Sequence, residues 1–380
     1  MKNCPGHPHS NPKHFSRRDF LKLAGLTAVG AALAACQPGE ATPTDETVTT
    51  VDEKKPKAEK PMVAISKADS YDRKLIKEKV QEMIEQIGGL SDILAHGNRV
   101  AIKTNLTGGT SAAPLPGIPE IESYLTHPEV VRAIGELLRD SGVKDLFIVE
   151  AVYEKASWPT YGYTDMAKEL GATLVDLTYA DPYKDFAKTA SSSNPFIYDE
   201  FIFNPILNEI DAFVSVSKMK CHNTAGVTHT MKNLFGLVPY RFYTLNKGDM
   251  YRSGFHGPAD ETRKRLPQVI MDLNAARPVT LSIVDGVWTS EAGEGPWVPA
   301  MTQIKPGVMF AGKNPVATDA IATAAMGFDP TAEYPDAPFV HANNHINIAA
   351  SLGWGTNKVD EIKVVGEKLK DITMQFTPSY

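Results

Sequence analysis

Between residues 218 and 232 this 380-residue chain carries Lys218, Lys220, His222, Thr224, Thr228, His229 and Lys232. Ammonium groups supply charge for an anion, hydroxyls supply directed hydrogen bonds, and imidazole carries a proton near neutral pH. The pattern assigns anion holding to Lys218, Lys220, Thr224, Thr228 and Lys232, joined by Lys103 and Asn105 from an earlier segment. Proton transfer falls to His222 and His229.

The segment opens as an apolar strand, Asp211-Ala-Phe-Val-Ser-Val-Ser217, and turns polar at Lys218. A helix is expected from Asn223 or Thr224, either of which caps a first turn, with Gly236 and Pro239 marking its end. On that helix Thr224, Thr228 and Lys232 share one face, and Gly226, His229 and Asn233 another. A strand feeding a helix places these groups at a carboxyl edge, where open α/β sheets bind ligands. The helix start would add partial positive charge, so the expected guest is an anion.

Other strands end in the same manner: Lys103 with Asn105, Glu150, Asp285, and Lys313 with Asn314. In an open parallel sheet such ends converge, so these residues are expected around one crevice. Asp285, Glu291 and Asp319, with Glu294 nearby, could hold a divalent cation that takes oxygen ligands. His222, His229 and His256 could hold a transition metal, although their spacing fits no closed zinc pattern. His341 and His345 would share a face if 339–350 is helical. Gly293-Glu-Gly-Pro296 reads as a substrate loop and not as a phosphate cradle, because no helix start follows it. No Gly-x-Gly-x-x-Gly, Walker A or Gly-x-Ser-x-Gly pattern occurs.

Strand and helix patterns alternate from Met62 onward. Strands are expected at 62–66, 99–104, 145–150, 172–176, 279–284, 308–311 and 361–365, and helices at 72–87, 128–140, 165–170, 258–276 and 316–326. Residues 196–203 alternate as an antiparallel or edge strand would. The fold class is therefore α/β, a mainly parallel sheet with helices on both faces, built as one large domain over 62–376 or as two closely joined lobes. Long connections at 106–126 and 240–257 have the composition of binding loops.

Lys218-Met-Lys-Cys-His222, Gly226-Val-Thr228 and Met231-Lys-Asn-Leu-Phe-Gly236 resemble the central motif of the domain-of-unknown-function family three-six-two. Val100-Ala-Ile-Lys-Thr-Asn105, His127-Pro-Glu-Val-Val131, Asp285-Gly-Val-Trp288 and Ala311-Gly-Lys-Asn-Pro-Val-Ala-Thr-Asp319 extend the resemblance in the same order. The resemblance implies an α/β fold and no settled activity. Fused relatives carry a ferredoxin-type module, which implies work beside an iron–sulfur protein.

The amino terminus reads as an export address. Ser16-Arg-Arg-Asp-Phe-Leu-Lys22 resembles a twin-arginine motif, and the apolar run 23–35 is too short to span a bilayer. Leu33-Ala-Ala-Cys36 matches a lipobox, so 1–36 is read as a signal with Cys36 lipidated, and 37–61 as a flexible tether. Expected partners are the twin-arginine export and lipoprotein-processing machinery and a membrane reached through the lipid, on the outer side of the cytoplasmic membrane. Loss of residues 1–35 leaves 34 basic and 44 acidic side chains, a balance that opposes nucleic-acid binding. Of three cysteines only Cys221 stays free, too few for a cysteine-ligated iron–sulfur cluster. It is read as a buried apolar residue or, between Lys220 and His222, as a reactive thiol. The expected function is an exported, membrane-anchored enzyme acting on a small anion, with a divalent metal as candidate cofactor. Two other readings are a non-catalytic anion-binding lipoprotein and a redox accessory to an iron–sulfur subunit.

Overall fold

The computed structural model describes residues 59–112 and 115–380. The export signal, Cys36 and the tether through residue 58 lie outside them. A mixed sheet organises the described chain, in the spatial order β12 (Lys363–Gly366), β1 (Met62–Lys67), β11 (Val308–Gly312), β9 (Leu281–Glu291), β7 (Ala212–His222), β2 (Arg99–Lys103), β3 (Asp145–Glu150) and β4 (Thr173–Asp176). The run from β9 to β4 is parallel throughout. Every residue of β7 is buried, as a strand covered on both faces requires. β8 (Gly226–Thr228) and β10 (Thr302–Ile304) extend β7 and β9 as antiparallel hairpins. β5 (Ala187–Ala190) and β6 (Glu200–Phe203) form a separate antiparallel pair, in keeping with the alternation at 196–203.

Helices lie on both faces. On one, α1 (Arg73–Gln86), α2 (Pro128–Asp140) and α3 (Tyr163–Leu170) bury Ile76, Val80, Val130, Ile134 and Met166 against Val100, Ile102, Val214 and Val216. Asp72 caps α1 by accepting from Leu75 N–H, and His127 caps α2 through Nδ1. On the other, α4 (Thr262–Ala276), α5 (Pro315–Ala325) and α6 (His345–Ser351) pack Leu266, Ile270, Ile321 and Ile346 against Ala101, Val149 and Phe213.

Three expectations need correction. First, no helix follows His222. The strand runs through it and folds back at 223–225 into β8, and only Lys232–Leu237 forms a helical turn, of the tighter 3-10 type. Gly226 permits the hairpin: its φ is +79°, and a Cβ there would lie 2.7 Å from the Phe339 ring. Second, β11 runs antiparallel to β9 and β1. Its carboxyl end therefore lies at the opposite edge, where Lys313 pairs with Asp92 at 2.6 Å and Asn314 caps α5. Third, α6 begins only at His345, so exposed His341 and buried His345 share no helix face.

Lys218 and Asp285, neighbours across β7 and β9, form an ion pair at 2.9 Å with both side chains fully buried. Lys218 Nζ also donates to Tyr71 Oη at 2.8 Å. Asp285 accepts from Tyr71 Oη, from the backbone N–H of His127 and from that of Val287. This cluster fastens the β1–α1 connection and the start of α2 to the middle of the sheet. Replacing Lys218 by Met strands a buried carboxylate, and urea unfolding should show a loss of about 3–5 kcal/mol. A loss below about 1 kcal/mol would mean that the pair does not hold these elements together.

Candidate functional site

A cavity of about 530 Å³ opens at the carboxyl ends of β2, β3 and β7. It is lined by Lys103, Asn105, Glu150, Lys220, His222, Thr224, Thr228, Lys232 and Asn233. Loops add Arg252, His256, Glu294 and Trp297. Convergence of the parallel strand ends brings Lys103, Asn105, Glu150, Lys220 and His222 together, and the hairpin and the 3-10 turn after it add Thr224, Thr228, Lys232 and Asn233.

The floor is a continuous polar chain. Lys103 Nζ meets Glu150 Oε2 at 2.7 Å and donates to Asn233 Oδ1 at 3.2 Å. Asn105 Nδ2 donates to the same Asn233 oxygen at 3.0 Å, and Asn105 Oδ1 accepts from Lys220 Nζ at 3.0 Å. Lys103 and Lys220 lie on alternate sets of strand positions, so they reach this chain from opposite faces of the sheet. A shift in pairing between Lys218 and Lys220 separates the buried ion pair from the lysine that faces the cavity. Burial drives the Lys103 ammonium down and the Glu150 carboxyl up, and their contact opposes both shifts.

Lys220 and Lys232 differ in a decisive way. Burial brings both down to about 7, against the pull of Glu294. Lys220 Nζ donates to Asn105 Oδ1, Tyr124 O and Glu294 O, which uses all three ammonium protons. Lys232 Nζ has no hydrogen-bond acceptor among the described residues; it lies 3.6 Å from the centre of the Phe235 ring. Arg252 is fixed by Val238 O, Ala151 O and Tyr153 Oη.

Glu294 is the carboxylate that faces these cations. Burial opposes its ionisation but is outweighed by His222, when that ring is charged, and by N–H bonds from Asn223 and the Trp297 indole, which keep it below its ordinary value. His222 is driven by burial well below its ordinary value. Its Nδ1 accepts from Thr224 and Ala225 N–H, so the neutral ring carries its proton on Nε2. Thr228 Oγ1 is buried on the cavity wall without a partner among the described residues. Free donors are therefore imidazole Nε2–H, threonine hydroxyl and the Lys232 amine.

Several expected site residues lie elsewhere. Lys218 belongs to the buried pair and does not line the cavity. His229 faces Thr323 Oγ1 at 3.4 Å on α5, and burial holds it at about 3. The proposed metal carboxylates are dispersed: Asp285 pairs with Lys218, Glu291 accepts from Thr377 N–H, and Asp319 accepts from Thr230 and Met231 N–H. Among the described residues no three His, Cys, Asp or Glu side chains are grouped to hold a metal ion. Cys221 is buried, its thiol pushed up to about 12, which fits the apolar reading. The sequence pattern does not mark Arg252, although it sits in a connection read as a binding loop; Glu294, a metal companion in sequence and part of the segment read as a substrate loop, is held by neighbouring donors and lines the cavity.

The chain carries the match to "Domain of unknown function (DUF362)" over residues 100–324, which spans more than half of its length. It belongs to that family. A thylakoid-associated protein of Synechocystis is 24% identical over 316 residues, covering 82% of this chain and 88% of its own. Among solved structures, the lactate racemase apoprotein of Thermoanaerobacterium thermosaccharolyticum matches at a TM-score of 0.38 and 11% identity, over 67% of this chain and 54% of that one. A Thermotoga maritima protein matches at 0.31 and 12%, over 60% and 54%. This DUF362 chain thus spans about half the length of those two structures.

Gly236 ties the floor to the helical turn above it. A Cβ there would fall 1.9 Å from Glu150 Oε1 and 2.6 Å from Lys103 Nζ. Gly236→Ala should lower stability by about 1–3 kcal/mol in thermal unfolding, because the buried pair has no room to yield. An unchanged melting temperature would mean that the pair is not held in place.

Proposed function

We propose that this DUF362 protein is an exported, lipid-anchored enzyme that acts on a small organic anion in the cavity at the β2–β3–β7 edge. The observation that carries the reading is charge: Lys103, Lys220, Lys232 and Arg252 line a cavity in which, among the described residues, Glu150 and Glu294 are the only carboxylates, and Glu150 already answers Lys103. The uncompensated surplus is positive and carried by buried side chains, where attraction for an anion is stronger than at a fully solvated surface. Arg252 acts through fixed charge, Lys220 is held in place by its three acceptors, and His222 Nε2–H, Thr224 and Thr228 offer hydrogen bonds. At about 7, Lys232 exchanges a proton near neutral pH, a role expected of histidine and taken here by an amine. Reactions in which a proton leaves carbon beside a carboxylate suit this equipment.

The twin-arginine and lipobox motifs support export and attachment through Cys36. A relative named as thylakoid-associated supports a place at a membrane.

Thermal-shift titration with small mono- and dicarboxylates and inorganic phosphate should raise the melting temperature of the native protein. Lys220→Met should remove at least about nine-tenths of that affinity, as loss of a buried charge partner predicts. Deuterium exchange into bound carboxylates, followed by NMR, then separates catalysis from storage. Stabilisation without any exchange would leave a binding protein, and stabilisation by none of these anions would end the reading.

A further inference from the structure

We propose that Lys232 is a covalent amine: its Nζ forms an imine with the carbonyl carbon of a small 2-oxo acid bound in this cavity. The proposal rests on the anion-binding reading and names its substrate class.

The geometry separates Lys232 from the other lysines of the site. Lys103 is bound to Glu150 and Asn233, and Lys220 is satisfied by three oxygens. Lys232, 8% exposed, lines the cavity without an acceptor, fixed at the first position of a 3-10 turn behind β8. An amine able to attack carbon needs this: an accessible lone pair, no competing hydrogen bond and a reason to shed its proton. The reason is supplied by the surroundings. Arg252 and Lys103 oppose a further charge, and Lys220, His222, His256 and His345 also face it. Glu294 is the one carboxylate that favours the ammonium form, and burial outweighs it.

The chemistry balances with no added reagent. The Nζ lone pair forms the C–N bond while the carbonyl electrons move to oxygen. The protons shed by nitrogen are taken up by that oxygen, which leaves as water, and the imine remains. Water returned at the end regenerates the amine. The substrate's carboxylate answers the cationic surplus, and the hydroxyl of Thr228, buried and unpartnered on the same wall, is placed to serve it. Once protonated, the imine draws electrons from the carbon on its far side, which eases loss of a proton from the methyl group when the substrate is pyruvate.

The test uses the full-length protein with pyruvate or glyoxylate and cyanoborohydride, which reduces an imine to a stable secondary amine. Intact mass and peptide mapping should place the label on Lys232 at least about tenfold faster than on Lys74, whose side chain is 86% exposed. Because attack requires the neutral amine, the labelling rate should rise about tenfold from about pH 6 to about pH 8. Lys232→Arg should lose the site-specific label. Should Lys232→Arg fail to fold, the wild-type ratio of Lys232 to Lys74 labelling and its pH profile still decide the matter. Labelling of Lys232 no faster than Lys74, or a rate flat across that pH range, overturns the proposal. Thermal shifts with the matching 2-hydroxy acids separate the two readings: binding without imine formation refutes only the covalent role, and no binding refutes the anion site as well.

Discussion

Removing charged groups from water is costly unless each finds partners, and the carboxyl edge of this sheet is built around that constraint. Glu150, Lys103, Asn233, Asn105 and Lys220 meet the cost collectively, each donor ending on an acceptor that belongs to the next residue. The chain crosses from one face of the sheet to the other, so it also fixes how the loops after β2 and β3 sit against the turn after β8. With these groups satisfied by one another, what remains unsatisfied stands out. Lys232, the Thr228 hydroxyl and His222 Nε2–H are the groups left for a ligand.

A second buried ion pair, Lys218 with Asp285, shows how one motif serves two ends. Lys218 and Lys220 are separated by a single residue and are both fully buried, yet one holds the fold and the other faces the cavity. The shift in pairing between them is the local cause. Burial alone would not have told them apart; their partners do.

Much of this was legible in the sequence. The strand–helix alternation carries the α/β class, and polar residues after apolar strands mark Lys103, Asn105, Glu150, Lys220 and His222 as neighbours. What failed did so for identifiable reasons. Strand direction is not written in hydrophobic pattern, so Lys313 and Asn314 were expected at the edge opposite to the one they occupy. Threonine and asparagine after His222 suit a hairpin as well as a helix cap, and Gly226 in the left-handed region decides for the hairpin. Thr224, Thr228 and Lys232 line the cavity nonetheless, from the turn before β8, the last residue of β8 and the 3-10 turn after it. Dispersal of Asp285, Glu291 and Asp319 depends on which backbone N–H groups lie beside each, and no spacing rule reports that.

The order of strands has a consequence for the birth of the molecule. β1 is the first strand described, yet it pairs only with β11 and β12, from the last quarter of the chain. On a ribosome it must wait until about 240 further residues have emerged, with Val63, Ala64 and Ile65 unpaired in the meantime. Closure of the sheet is thus a late event, held back by the separation in sequence between β1 and the two strands it pairs with.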